Sequence, residues 1–131
     1  MIRGTYFVGA DYEEAGVANS TSETELVTFV IPANTVVNGI IISVNATATA
    51  ASGGQNNSEV KVKIGTDGSE TLKATFTLRA IDNTSRSIAT YHYVVDDLDW
   101  TSEQSVSITG TNSTTNASAG VYGQDLVVLG Y

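Results

Sequence analysis

Apolar and polar residues alternate along much of this 131-residue chain, most cleanly over Ile40–Thr49. There Ile40, Ile42, Val44, Ala46 and Ala48 fall on one side, and Ile41, Ser43, Asn45, Thr47 and Thr49 on the other. A period of two places alternate side chains on opposite faces of a strand, so the first set predicts a buried face. Just upstream, Leu26–Ile31 is almost continuously apolar and rich in β-branched residues, which predicts a strand covered on both faces. Pro32 ends it, because proline has no N–H for the ladder. Ala33–Gly39 supplies a turn, with Asn38-Gly39 suited to positive φ, so Glu25–Thr49 reads as strand, turn, strand, a central hairpin.

The same alternation recurs downstream. Val60, Val62 and Ile64 are predicted to point inward from Glu59–Ile64, with Glu59, Lys61 and Lys63 in water. The Gly65–Gly68 turn (GTDG) carries an Asp-Gly hairpin signal, and Leu72, Ala74, Phe76 and Leu78 form the inner face of the strand that follows. Arg86–Val95 is a further strand, in which either Ile88, Thr90, His92 and Val94 or Ala89, Tyr91, Tyr93 and Val95 face the core. Ser105–Thr109, with Val106 and Ile108 inward, and Val121–Leu129 complete the set. Met1–Ala10 is a first strand or an arm that adds to a neighbour's sheet, and Asp11–Thr24 is a polar loop. The connectors are Ala50–Asn57, the turn over Ile81–Ser85, the corner Asp96–Trp100 and the loop Gly110–Ala119.

About eight short strands, turns at sandwich-like spacing and no helical pattern predict an all-β, antiparallel, jelly-roll-like sandwich. An immunoglobulin-like sandwich is the other topology, without the usual Cys-Trp-Cys core. Residues 1–24 read as a strand or arm plus loop, and residues 25–131 as a single sandwich domain.

Composition narrows the function. The net charge is −8 with six Lys plus Arg, against the clustered positive charge that nucleic acid requires, and an anionic membrane would repel the chain. No run of about 18 apolar residues predicts a membrane span, and Met1–Ala10 has no apolar leader core, so secretory export is not expected from this sequence. Cysteine is absent, which removes disulfide and thiolate chemistry. Charged residues make up 15%, below the roughly 25% usual for soluble domains; Thr, Ser, Asn and Gly take their place. Neutral polar surfaces of this kind suit extracellular and virion proteins and surfaces that pack against copies of themselves.

Candidate chemistry is sparse. His92, the single histidine, sits mid-strand between two tyrosines, with no nucleophile elbow anywhere in the chain, so catalysis is not expected. Asp96, Asp97 and Asp99 are the densest carboxylates; they lack the spacing of a calcium loop and read first as a solvated acidic corner, with calcium as the alternative. No cofactor is expected. Trp100 with Tyr91 and Tyr93 forms either a sugar-stacking platform or, as is commoner, part of a core or subunit interface. N-x-[ST] sequons stand at Asn19, Asn45, Asn56, Asn83, Asn112 and Asn116 and read as products of composition.

The segment Ser22–Thr49 resembles a virion domain of tailed phages: a Thr/Glu-rich lead (Ser22–Glu25), a strand (Leu26–Ile31), the run I-P-A-N-T (Ile31–Thr35), Asn38-Gly39, and a long alternating strand (Ile40–Thr49). The resemblance continues through Val60–Leu78 and returns at Ser107–Tyr131, so it covers about residues 22–131; Arg86–Val95 departs from the pattern. It implies a jelly-roll module of a virus particle: a capsid decoration or cement protein, a spike, or a tail-fibre part, commonly trimeric. No site residues carry over, because the motif is structural.

On that reading the partners are further copies of the chain and a major capsid or other virion protein. Tyr6, Phe7, Tyr91, Tyr93 and Trp100 are the expected interface residues, with the arm laid across a neighbouring subunit. Deleting residues 1–18 would then abolish particle binding and leave the β fold intact. The competing classes are a carbohydrate-binding sandwich, with a glycan as partner, and a self-polymerising filament or surface-layer subunit.

Overall fold

The computed structural model describes residues 4–50, 54–82, 86–116 and 119–131. Among these, the chain forms nine strands and no helix: β1 (Tyr6–Asp11), β2 (Ala15–Ala18), β3 (Thr24–Ile31), β4 (Ile40–Thr49), β5 (Asn56–Gly65), β6 (Thr71–Ala80), β7 (Ser87–Val95), β8 (Gln104–Thr111) and β9 (Gly120–Gly130). They make two antiparallel sheets. Sheet A runs β1-β9-β4-β7, with β2 also on β9; sheet B runs β3-β8-β5-β6.

β1 and β2 lie end to end along β9. Tyr6–Asp11 pairs with Gly130 to Leu126, and Ala15–Ala18 pairs with Gly123 to Gly120. They are two halves of one edge strand interrupted at residues 12–14. Taken as one, they leave four strands in each sheet, with successive strands crossing between sheets except at the β5–β6 hairpin. That is a jelly roll. Residues 6–18 thus supply the first strand of this chain's own sheet.

The Glu25–Thr49 stretch is not a hairpin. β3 belongs to sheet B and β4 to sheet A, and the connector after Pro32 carries the chain across, burying Val36 as it goes. The period-two pattern reports which face of a strand is buried, not which strand it pairs with, so it could not separate a hairpin from a crossover.

The core is the space between the sheets. Ile40, Ile42, Val44, Ala46 and Ala48 of β4 face Val60, Val62 and Ile64 of β5 and Val106 and Ile108 of β8, all buried. Four bulges shift this simple parity. An extra residue near Leu26 turns both Leu26 and Val27 inward; the rest of β3 has an open outer face, and Val30 is 41% exposed. So β3 is an edge strand, not one covered on both sides. An irregularity opposite Val62–Lys63 sends Leu72 outward, opposite Lys63, and it is half exposed. In β9 the step at Gln124–Asp125, with Asp125 at φ 54°, moves burial from Val121 and Gly123 to Leu126 and Val128. The fourth bulge, at Val8 in β1, brings Gly9 inward against the Phe29 ring; a Cβ there would lie 2.0 Å from Phe29 Cζ, so any larger residue would have to displace that ring. Bulges of this kind add one residue to one strand and reverse the facing of everything beyond it.

In β7 the choice of face is settled by register: Tyr91 opposes Val44 and Tyr93 opposes Ile42, so Ala89, Tyr91, Tyr93 and Val95 face inward. Ile88, Thr90, His92 and Val94 face out, with Ile88 and Val94 mostly exposed.

β8 is covered on both faces. Its outward Ser107 and Thr109 hydroxyls donate to Glu25 Oε2 (2.9 Å) and Glu23 Oε1 (2.6 Å). Glu23 also pairs with Lys63 Nζ at 2.6 Å. These contacts, Lys63 foremost and then Thr109, hold the Glu23 carboxyl below the ordinary glutamate value of 4.5. A depressed folded pKa gives stability that is present above the unfolded value and is lost as pH falls through the folded one. Glu23→Gln is therefore expected to flatten the loss of melting temperature between about pH 5 and pH 3, without changing the slope above pH 6. The effect is modest, since the pair is partly solvated.

Candidate functional site

The fold puts the expected interface residues in different environments. Trp100 is only 8% exposed; its Nε1 donates to the Asn38 carbonyl (3.1 Å) and its own carbonyl accepts from Asn34 N–H (2.8 Å). It pins the β3–β4 crossover against the core and offers no open ring face for a sugar. Its fluorescence is expected to resist iodide quenching in the folded protein and to become accessible on unfolding; strong native quenching would contradict this burial. Tyr91 stacks on Phe76 (ring centroids 4.0 Å apart, 16° between planes), and burial raises its phenol pKa. Tyr93 is half-buried on the inner face of β7. The Tyr6 hydroxyl donates to the Thr35 carbonyl (3.3 Å) and accepts from Val37 N–H (3.1 Å), tying β1 to this chain's own connector. Phe7 differs from these four: it is 63% exposed.

The acidic corner divides. Asp97 pairs with Lys73 Nζ (3.0 Å). Asp99 accepts from the Thr101 hydroxyl and N–H and from Ser102, which hold its carboxyl below the ordinary aspartate value and close the turn after β7. Among the described residues no three His, Cys, Asp or Glu side chains converge to hold a metal. His92 is exposed on the outward face of β7, beside Ser43.

The sequons also separate. Asn19 and Asn116 are exposed, and Asn45 is half-buried within sheet A, where Nδ2 donates to Asp125 Oδ2 (3.2 Å). Asn83 lies outside the described residues. Asn56 and Asn112 are buried (0% and 2% exposed), and their amides are spent inside the fold. Asn56 Nδ2 donates to Asn112 Oδ1 (2.9 Å) and to the carbonyls of Thr49 (2.9 Å) and Gly120 (3.3 Å). Asn112 Nδ2 donates to the carbonyls of Val17 (3.0 Å) and Ser20 (3.1 Å). A glycan cannot be carried at either position in this fold. Together they knot β2, the end of β4, the start of β5 and the β8–β9 loop at one end of the sandwich. Sequence reasoning missed this knot, though a signal existed: continuing the Val60–Val62–Ile64 phase backwards puts Ser58 and Asn56 on the inner face.

The two outward faces differ in kind. That of sheet B is charged, with Glu25, Glu59, Lys61, Lys63 and Arg79 on its strands. That of sheet A carries a continuous apolar row across all four strands: Val94 opposes Ile41, Ile41 opposes Leu129, and Leu129 opposes Phe7. Behind it lies a second row of His92, Ser43, Val127 and Ala10, then a polar ladder in which Thr90 Oγ1 donates to Asn45 Oδ1 (2.6 Å) and Asn45 to Asp125. The outward face of sheet A is thus apolar at one end and polar at the other.

The chain matches no protein-family model, and no curated protein is significantly similar to it in sequence. Its fold does have counterparts among solved structures. It superposes on the VP2 subviral particle of infectious bursal disease virus with a TM-score of 0.52 and 15% identity, over 98% of this chain and 32% of that one. The structure of the Gx strain of the same virus gives 0.51 and 11%, over 96% and 35%. The chain thus spans about a third of these virus proteins, and what it shares with them is the fold.

Proposed function

We propose that the protein is a structural component of a virus particle: a capsid decoration or cement protein, or a spike, of a tailed virus, assembling as a trimer and docking on a major capsid or other virion protein. The observation that carries this is the strand order, four strands facing four in jelly-roll sequence, matched over nearly the whole chain by a protein of a viral particle. The work done is mechanical and needs no catalysis or cofactor. A rigid apolar interior fixes the outer faces, and many weak contacts repeated on a symmetric lattice give high avidity. The reading differs in one respect from an arm that lies across a neighbour: the first strand closes this chain's own sheet, so contact falls to the faces.

The absolute mass of the purified protein, by size-exclusion chromatography with light scattering, tests this. A closed trimer of about 41 kDa, three times 13.7 kDa, is the expected result. A monomer at every concentration that binds a glycan, or an open-ended polymer, would overturn it.

A further inference from the structure

We propose that the outward face of sheet A is where one copy of this chain packs against another, with the row Val94–Ile41–Leu129–Phe7 at the contact. The inference rests on the self-assembly reading above and assigns it a surface.

Three observations point to a second copy as occupant. The first is continuity: the row crosses the sheet from edge to edge, and its outer members, Phe7 and Val94, are 63% and 54% exposed. Large apolar side chains standing singly in water are ordinary, but an aligned row across four strands is a patch.

The second is charge. The chain carries −8, so two copies repel wherever their carboxylates meet. Glu25 and Glu59 stand on sheet B, Glu23 pairs with Lys63 and Asp97 with Lys73 of that sheet, Asp67 and Glu70 lie in the β5–β6 connection, and Asp11 turns to Thr28 of β3, while Asp96, two residues after Val94, borders the row. On it, among the described residues, stand Asp125, already bonded to Asn45, and His92. This is the place where like-charged copies can approach at little electrostatic cost. A strongly basic partner would instead favour the acidic surfaces elsewhere.

The third is area. Four strands about 4.8 Å apart and roughly 30 Å long present on the order of 600 Å² per copy. Covered by an equal area of a neighbouring copy, this face buries about 1,200 Å² counting both partners, the lower end of specific interfaces. Weak pairwise association, strengthened on a lattice, is what that size supports.

The test compares masses by light scattering for the wild type, Val94→Glu, Phe7→Ser and, as control, Val30→Glu on the outward face of sheet B. Circular dichroism checks that each is folded. The wild type is expected to be multimeric, Val94→Glu to weaken association at least about a hundredfold, Phe7→Ser to weaken it without adding charge, and Val30→Glu to leave it unchanged. A multimeric wild type whose mass neither sheet A variant changes overturns this face and leaves self-assembly standing. So does dissociation by Val30→Glu alone. A wild type that is monomeric throughout overturns both.

Discussion

Removing residues 1–18 is expected to unfold the protein, not to trim it. β1 and β2 supply the edge of sheet A, and they cover β9 along nearly its full length. Without them the ladder groups of β9 lose their partners on that side. Leu126, Val128 and Val121, now fully buried, gain access to water, and Phe29 loses the backbone of Gly9 that it packs against. Each large aliphatic side chain contributes roughly 1.5–3 kcal/mol when fully buried. Partial exposure of three, with the lost strand pairing and the loss of Val17 as an acceptor for Asn112, amounts to about 5 kcal/mol or more. Native domains have about 5–15 kcal/mol in total. The truncated chain is therefore expected to be aggregated or to lack a cooperative urea transition. A truncated protein whose transition midpoint matches the full-length one would contradict the placement of β1 and β2, and would restore the reading of this segment as a free arm.

The second large effect is expected at Asn112. Asn112→Ala removes two donors and one acceptor from a buried site. It takes the Asn112 donor from the carbonyls of Val17 and Ser20 and the Asn112 acceptor from the buried Ser58 hydroxyl, while Asn56 Nδ2 keeps the carbonyls of Thr49 and Gly120. Stranded buried polar groups cost about 1–3 kcal/mol each, so a loss of about 3–4 kcal/mol in urea unfolding is expected. Asn112→Asp keeps the shape but aims a carboxylate at two carbonyl oxygens. It is expected to be at least as damaging at neutral pH and to recover partly in acid, where the protonated carboxyl regains one donor. A change below about 0.5 kcal/mol in Asn112→Ala, the range of ordinary surface substitutions, would show that the knot does not hold this end of the sandwich together.

Much of the fold follows from alternation alone. β4, β5 and β8 are flanked by strands on both sides, so one face must meet the opposite sheet, and their Ile and Val residues fall in register with it. The exceptions have a common cause. A bulge is a backbone event that leaves no apolar signature, so the facing of Leu72 and of β9 beyond Gln124 was not legible; Asp125 in the left-handed region is its only side-chain hint. Leu26–Ile31 looked covered on both faces because a bulge had packed Leu26 and Val27 side by side. β7 was ambiguous because both its faces are apolar, and only pairing with β4 decides between them. The same ambiguity hid the sheet A row. Its four members come from four strands between Phe7 and Leu129, and nothing in the linear order brings them together. Residue type suggests core or interface as the commoner role for Trp100 and composition as the origin of the sequons, but it does not say where their polar atoms are spent, and that is what defines the roles of Trp100, Asn56 and Asn112.

The most direct test of the account is electron cryomicroscopy of the purified assembly. It predicts closed groups of three jelly rolls with the Val94–Ile41–Leu129–Phe7 row between copies. Isolated protomers, or open filaments joined through exchanged first strands, would contradict it.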